Sequence, residues 1–339
     1  MHVQVGDAVA GAEALGDAHQ LGGHLPRGGP PAARYRPEVF ALTTSVPLPF
    51  RPPLCPGNLF GHLAATAVPG VEEWRAGAYR CALRLPGGHG IAALRPAADF
   101  IDCRLGLTDP ADLPAAISRC RWLLDLDADP VAVDEHLARD EVLAPLVAGS
   151  PGRRVPRTGD PREFAVRAVL GQQISTEAAR THAARLVRRH GEPIDDPDGG
   201  LTHLFPTIEA LAGLDPQSLA MPRTRRATLV TLVAALNDGT VRLDAGGDPG
   251  DRDAARAGLA ALPGIGPWTV ESVAMRALGD PDAFPASDLG VRLAAARLGL
   301  PDRPGALVER AAAWRPWRAY AVQHLWATGT HPINDLPAG

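Results

Sequence analysis

Residues 262 to 288 decide the fold: Leu262-Pro263-Gly264-Ile265-Gly266-Pro267-Trp268-Thr269, then an unbroken helical pattern, then Phe284-Pro285-Ala286-Ser287-Asp288. The pattern predicts a helix, a tight glycine turn and a second helix. Two glycines let the backbone pass close to another group, and the amides at the start of the following helix can receive an anion. The plain alternative is a turn between two packed helices. Asp288 stands twenty residues after Trp268 and opens the next helix, where Ser287 or Asp288 would cap free N–H groups near Leu289. A helix N-terminus suits a negative charge, so capping and chemistry are compatible at this position.

Working outward, the second half of the chain reads as helix after helix between Gly/Pro breaks. Asp160-Pro161 opens one, and Ser175 caps another that runs to Gly191. Further helices are expected at 207–213, 216–221, 224–238, 252–261, 267–278, 288–299, 304–313 and 317–328. Between the first two, Val169-Leu170-Gly171-Gln172-Gln173-Ile174-Ser175 breaks the pattern with a glycine and two amides. This is an interhelical turn or, functionally, a place where a side chain protrudes, with Gln173 preferred over Gln172. Upstream, Tyr79 to Leu85 alternates like a strand and ends at Pro86-Gly87-Gly88, whereas Asn58 to Ala67 reads as helix. The expected class is mainly α with a small α+β N-terminal domain. Residues 1–36 are expected to be a flexible tail, 37–128 the small domain and 129–339 the helical region.

At 339 residues and 45% hydrophobic content, the chain can bury sizeable cores without disulfides. No apolar run approaches a membrane span and no secretory signal is evident, so the expected compartment is the cytoplasm. Cys55, Cys81, Cys103 and Cys120 form no CxxC pair and are expected to be free thiols. The chain has no lysine; all 34 basic residues are arginines. No side-chain amine can therefore attack a sugar carbon to form a Schiff base. The formal charge of −4 comes from the front of the chain, because residues 150–339 carry 22 arginines against 21 acids. A nucleic-acid partner gripped by backbone amides and a few arginines is compatible with that balance.

The aromatic residues are few. Trp268 follows the glycine turn and Trp326 closes the run Trp317-Arg318-Ala319-Tyr320-Ala321-Val322-Gln323-His324-Leu325-Trp326. Tryptophans usually fill cores. A tryptophan face also attracts a base made cationic by alkylation at a ring nitrogen.

From about Val166 to Trp326 the chain resembles the helix-hairpin-helix DNA glycosylase superfamily, and within it the 3-methyladenine DNA glycosylase II type. The resemblance rests on Leu170-Gly171-Gln172-Gln173-Ile174-Ser175, Leu262 to Thr269, Phe284-Pro285-Ala286-Ser287-Asp288-Leu289 and Pro316-Trp317-Arg318-Ala319-Tyr320-Ala321, in family order. The α+β region before them is similar in length and position to the family's N-terminal domain. The resemblance implies a helix-hairpin-helix glycosylase fold, with the cleft between two helical subdomains. It also implies Asp288 as catalytic carboxylate, Trp268 and Trp326 in the base pocket, and Gln173 as the residue that enters the duplex. The hairpin residues Leu262, Gly264, Ile265, Gly266 and Thr269 would contact DNA, with a monovalent cation at the 262–267 backbone. Ser272 departs from the family pattern, which has a pocket tyrosine there, and puts the range of accepted bases in question.

Relatives that cut the strand carry lysine where Trp268 stands, so the resemblance implies a monofunctional enzyme. Cysteines for an iron–sulfur cluster are missing after Cys120, and no organic cofactor is expected. Nothing before Val39 is long enough for the alkyl-accepting domain that some such proteins carry. The expected partner is duplex DNA containing alkylated bases, bound by a monomer with no membrane contact. Asp288 would stabilise a sugar cation or activate water, and the residues leave both roles open. A glycosylase for oxidised or mismatched bases and a damage-binding module without catalysis are the rival readings.

Overall fold

The computed structural model describes residues 39–219, 221–243 and 248–338; the expected tail at 1–36 lies outside them. The first part is an antiparallel sheet of β1 (Leu42–Pro49), β2 (Glu72–Arg75), β3 (Ala78–Leu85), β4 (Gly88–Pro96) and β5 (Phe100–Leu107), in the order β1-β5-β4-β3-β2. Helix α1 (Pro56–Thr66) crosses from β1 to β2, and α2 (Leu113–Leu123) follows β5. Edge strand β1 alternates half-buried and exposed residues, as one-sided burial requires. Strand β3 is buried along nearly its whole length, since it is covered on both faces. Leu59, Phe60, Tyr79, Leu94, Ile101 and Leu105 are central to this core.

The rest is helical: α3 (Pro130–Leu137), α4 (Ala144–Gly149), α5 (Pro161–Leu170) and α6 (Thr176–His190), then the short pair β6 (Glu192–Pro193) and β7 (His203–Leu204). After these come α7 (Ile208–Ala212), α8 (Arg223–Asn237), α9 (Pro249–Ala260), α10 (Pro267–Arg276), α11 (Leu289–Arg297), α12 (Pro304–Arg310) and α13 (Arg318–Trp326). They share a second core around Val166, Val169, Leu232, Val273, Ala295 and Trp314. Most boundaries follow local chemistry. Asp160 caps α5 by accepting from Arg162 and Glu163 N–H at 2.8 and 3.2 Å, and Ser175 caps α6.

One expected helix does not form. At 216–221 there is a single 3₁₀ turn, Pro216–Ser218, and Leu219 is already extended. Pro222 disfavours helical geometry in the residue before it, and the segment is too short to offset the cost of nucleation. The four cysteines are free. Among the described residues no helix is long and apolar enough to cross a membrane.

Candidate active site

The hairpin is α9, the turn 261–266 and α10. Gly264 has φ +85°, and a Cβ there would lie 2.0 Å from Thr228 Oγ1 on α8, so both conformation and packing require glycine. Helix α10 starts at Gly266, which has no side chain to cap it, with Pro267 next. The amides of Gly264, Gly266 and Trp268 consequently meet no acceptor among the described residues. Ile265 and Thr269 are buried. Ile265 belongs to the core, and Thr269 Oγ1 accepts from Gln172 Nε2 at 3.1 Å. Leu262 is half-buried against the core.

Gln172 also donates to Gly264 O at 3.1 Å, while its own carbonyl accepts from Arg225 Nη2 at 2.6 Å. The turn between α5 and α6 is thereby tied to the hairpin. Gln173, next in sequence, is exposed and has φ +56°. A non-glycine residue in the left-handed region costs about 1 kcal/mol, and this one projects its side chain away from the fold.

Asp288 caps α11, its Oδ1 accepting from Val291 N at 3.0 Å. Both tryptophans singled out in the sequence converge on the same carboxylate: Trp268 Nε1 donates to Oδ2 and Trp326 Nε1 to Oδ1, each at 2.9 Å. Their role thus includes orienting Asp288 through the indole edges, which the sequence did not suggest. No arginine or histidine forms an ion pair with Asp288 among the described residues. The loop carrying it is pinned from two sides. Glu271 on α10 accepts from Phe284 N at 2.7 Å and pairs with Arg256 on α9, and Asp282 takes a bidentate pair with Arg318 at 2.7 and 2.8 Å.

Asp288 stands on a cleft of about 780 Å³ between α1, α5, α6, α10, α11 and the segment after α13. Ser272, one turn after Trp268, lines it and is largely buried. Three lining residues lay outside the sequence reading. His62 of α1 stacks on Trp326, centroids 6.0 Å apart and planes at 29°. Burial first, then the charges of Arg276, His331 and Arg167, hold its pKa well below the ordinary imidazole value, so the ring is neutral. Gly290 is closely approached: a Cβ there would lie 3.1 Å from both Asp288 Oδ1 and Trp326 Cδ1 and would press on that pair. Arg276, two turns after Trp268, rests on Phe164 with Cζ 4.9 Å from the ring centroid and donates Nε to Pro156 O at 2.9 Å. Burial and Arg167 pull its pKa down to about 9, which leaves a cation at neutral pH. The spacing 268, 272, 276 could have flagged Arg276; nothing in the sequence links His62 to this cleft.

Residues 45–160 match the AlkA N-terminal domain, and residues 166–319 match the HhH-GPD superfamily base excision DNA repair protein. The DNA-3-methyladenine glycosylase 2 of Escherichia coli is 33% identical over 289 residues, covering 83% of this chain and 96% of that protein. The chain belongs to the HhH-GPD superfamily. Another member, the probable bifunctional transcriptional activator/DNA repair enzyme AlkA of Mycobacterium tuberculosis, is 58% identical over 307 residues. The match covers 90% of this chain and spans 61% of that relative's length. The 3-methyladenine DNA glycosylase from Archaeoglobus fulgidus superposes with a TM-score of 0.69 at 22% identity, covering 84% of this chain and 97% of that one. That likeness shows the HhH-GPD fold, a mostly helical body preceded by a small antiparallel sheet.

Proposed function

We propose that this chain is a monofunctional DNA glycosylase that hydrolyses the N-glycosidic bond of alkylated purines in duplex DNA. The observation that carries the reading is Asp288. Its carboxylate is held by three N–H donors, has no ion-pair partner among the described residues, and stands on a cleft bordered by Trp268 and Trp326.

The unpaired amides of Gly264 and Gly266 receive a phosphate of the damaged strand. The hairpin also suits the monovalent cation that the family implies: no N–H donor occupies the carbonyls of Pro263 and Ile265 among the described residues. Uncharged oxygens of this kind suit a hard cation, which would add positive charge opposite the phosphate. Gln173, projecting from its left-handed backbone, fills the gap left by the flipped nucleotide. The lesion enters the cleft beside the two tryptophans and Ser272. As the base departs with the bonding electron pair, Asp288 stabilises the sugar cation, and water adds at C1′. With tryptophan at 268 and no lysine in the sequence, no Schiff base forms and the strand stays uncut.

The test is chromatographic release of free bases from methylated duplex DNA by the wild type and Asp288→Asn, with strand nicking scored alongside. Methylpurine release without nicking, abolished in the variant, is expected. Tight binding without release by the wild type would replace this reading with a damage-binding module.

A further inference from the structure

One side chain joins the turn that presents Gln173 to the hairpin. Gln172 Nε2 donates to Gly264 O and to Thr269 Oγ1, each at 3.1 Å. A backbone carbonyl only accepts, so the group that meets Gly264 O is the NH2 of the amide, and its two protons serve the two bonds. Among the described residues no other side-chain hydrogen bond links the turn at 171–175 to the hairpin. The tie closes a ring through α8. Arg225 Nη2 donates to Gln172 O at 2.6 Å, and Thr228, one turn further along α8, stands so close to Gly264 that a Cβ there would lie 2.0 Å from its Oγ1. Turn, hairpin and α8 thus brace one another in pairs. The Gly264 carbonyl held by Gln172 belongs to the peptide between the amides of Gly264 and Gly266, which meet no acceptor among the described residues.

We infer that Gln172 is a positioning residue for nucleotide flipping: its amide fixes the separation between Gln173 and the phosphate grip of the hairpin. The inference rests on the proposed function above, in which Gln173 fills the gap and the hairpin amides hold a phosphate. Turning a nucleotide out of a duplex costs the unpairing and unstacking of its base. A side chain that fills the gap offsets this cost only if it enters at a set distance from the phosphate that is held. A loose turn would let Gln173 recoil, and a misplacement of about 1 Å is enough to slow such a step strongly. The conformation of Gln173 points the same way. A non-glycine residue with φ +56° persists where its surroundings over-determine it. Gln173 is held between the anchored Gln172 and the cap of α6, where Ser175 Oγ accepts from Ala178 N at 3.2 Å. The Gln172 amide is committed to Gly264 and Thr269, so it acts through these neighbours and not on the reacting atoms. Its effect falls on flipping, ahead of cleavage of the glycosidic bond.

The experiment is single-turnover release of 7-methylguanine from two duplexes. One pairs the lesion with cytosine; the other sets it opposite a tetrahydrofuran spacer, where no base pair has to open. Gln172→Met keeps the length of the side chain and removes both donors. Release from the paired duplex is expected to fall roughly 10- to 100-fold. Release from the spacer duplex should fall by less than about threefold, because the step that Gln172 serves is already eased. Arg225→Met, which frees the Gln172 carbonyl, should show the same preference with a smaller loss, and it carries the test if Gln172→Met does not fold. Loss by one common factor on both duplexes, or loss on neither, overturns the inference while the wild type's release of base leaves the glycosylase reading intact. No base released by the wild type from either duplex overturns both.

Discussion

Among the described residues two aspartates accept indole N–H bonds, and they differ in what else reaches them. Asp140, between α3 and α4, takes Trp314 Nε1 at 2.7 Å and Arg310 Nη2 at 2.6 Å, and its side chain is only 8% exposed. Asp288 takes two indoles and a backbone amide, with no arginine among the described residues. The donors around both are similar; the cation is the difference. At Asp140 the charge is cancelled within the fold, and the pair ties α12 and the turn before α13 to the region between α3 and α4. At Asp288 the hydrogen-bond donors are all neutral dipoles, which orient the charge without cancelling it. Indole partners alone therefore do not mark a catalytic carboxylate. An uncompensated charge facing a cleft is the better sign, because preorganised charge is what a developing cation can use.

The sharpest way to break the comparison is to neutralise each carboxylate in turn. Asp288→Asn is expected to lower single-turnover base release by roughly 10²- to 10³-fold. Asparagine is itself a good N-cap, so the melting temperature should move little. A loss of activity below tenfold would put the two aspartates in one class. Asp140→Asn should do the reverse, lowering unfolding free energy by about 1–3 kcal/mol in urea titrations, with base release per folded molecule retained.

The Asp140 difference should also depend on pH. Burial works to raise its pKa, but the Trp314 and Arg310 hydrogen bonds outweigh that and hold it below the ordinary carboxylate range. A lowered folded-state pKa stabilises above the unfolded value of about 4 and is lost as pH falls through the folded value. The stability gap between wild type and Asp140→Asn should thus be level from neutral pH down to about 5 and close in more acidic buffer. A gap that widens in acid would contradict the pairing.

Removing single donors separates the two centres more finely. Trp326→Phe takes one N–H from Asp288 and is expected to cost roughly tenfold in base release, whereas Trp314→Phe should cost about 1–2 kcal/mol of stability. The smallest effect belongs to Gln173→Gly. It relieves the left-handed backbone, so stability should rise by less than about 1 kcal/mol while base release drops a few-fold. A destabilised Gln173→Gly would show that the side chain supports the fold instead of reaching outward.

Much of the architecture was legible because it is local. Caps, prolines and glycine turns announced α5, α6, α10 and α11, whose boundaries fall within a few residues of expectation. The segment at 216–221 misled because its composition permits a helix that its length and Pro222 do not. The candidate site was legible where one stretch of chain carries it: Gly264, Gly266, Trp268 and Asp288 sit within a single helix-turn-helix-loop unit. It was illegible where separate elements meet. His62 reaches Trp326 from the small domain, and no spacing rule connects residues 264 positions apart.

The sequence by itself determined the helix-hairpin-helix scaffold, a helix cap at Ser287 or Asp288 and the lack of any lysine for Schiff-base chemistry, since each is a property of neighbours along the chain. The tertiary structure alone decided that both indoles turn their edges to Asp288, that Ile265 and Thr269 face inward, and that Arg276 lines the cleft with no ion pair among the described residues. Those outcomes depend on how α1, α5, α8, α10, α11 and α13 pack together. Packing settles which side chain meets a counter-charge and which is left facing solvent, a question that composition and periodicity do not address.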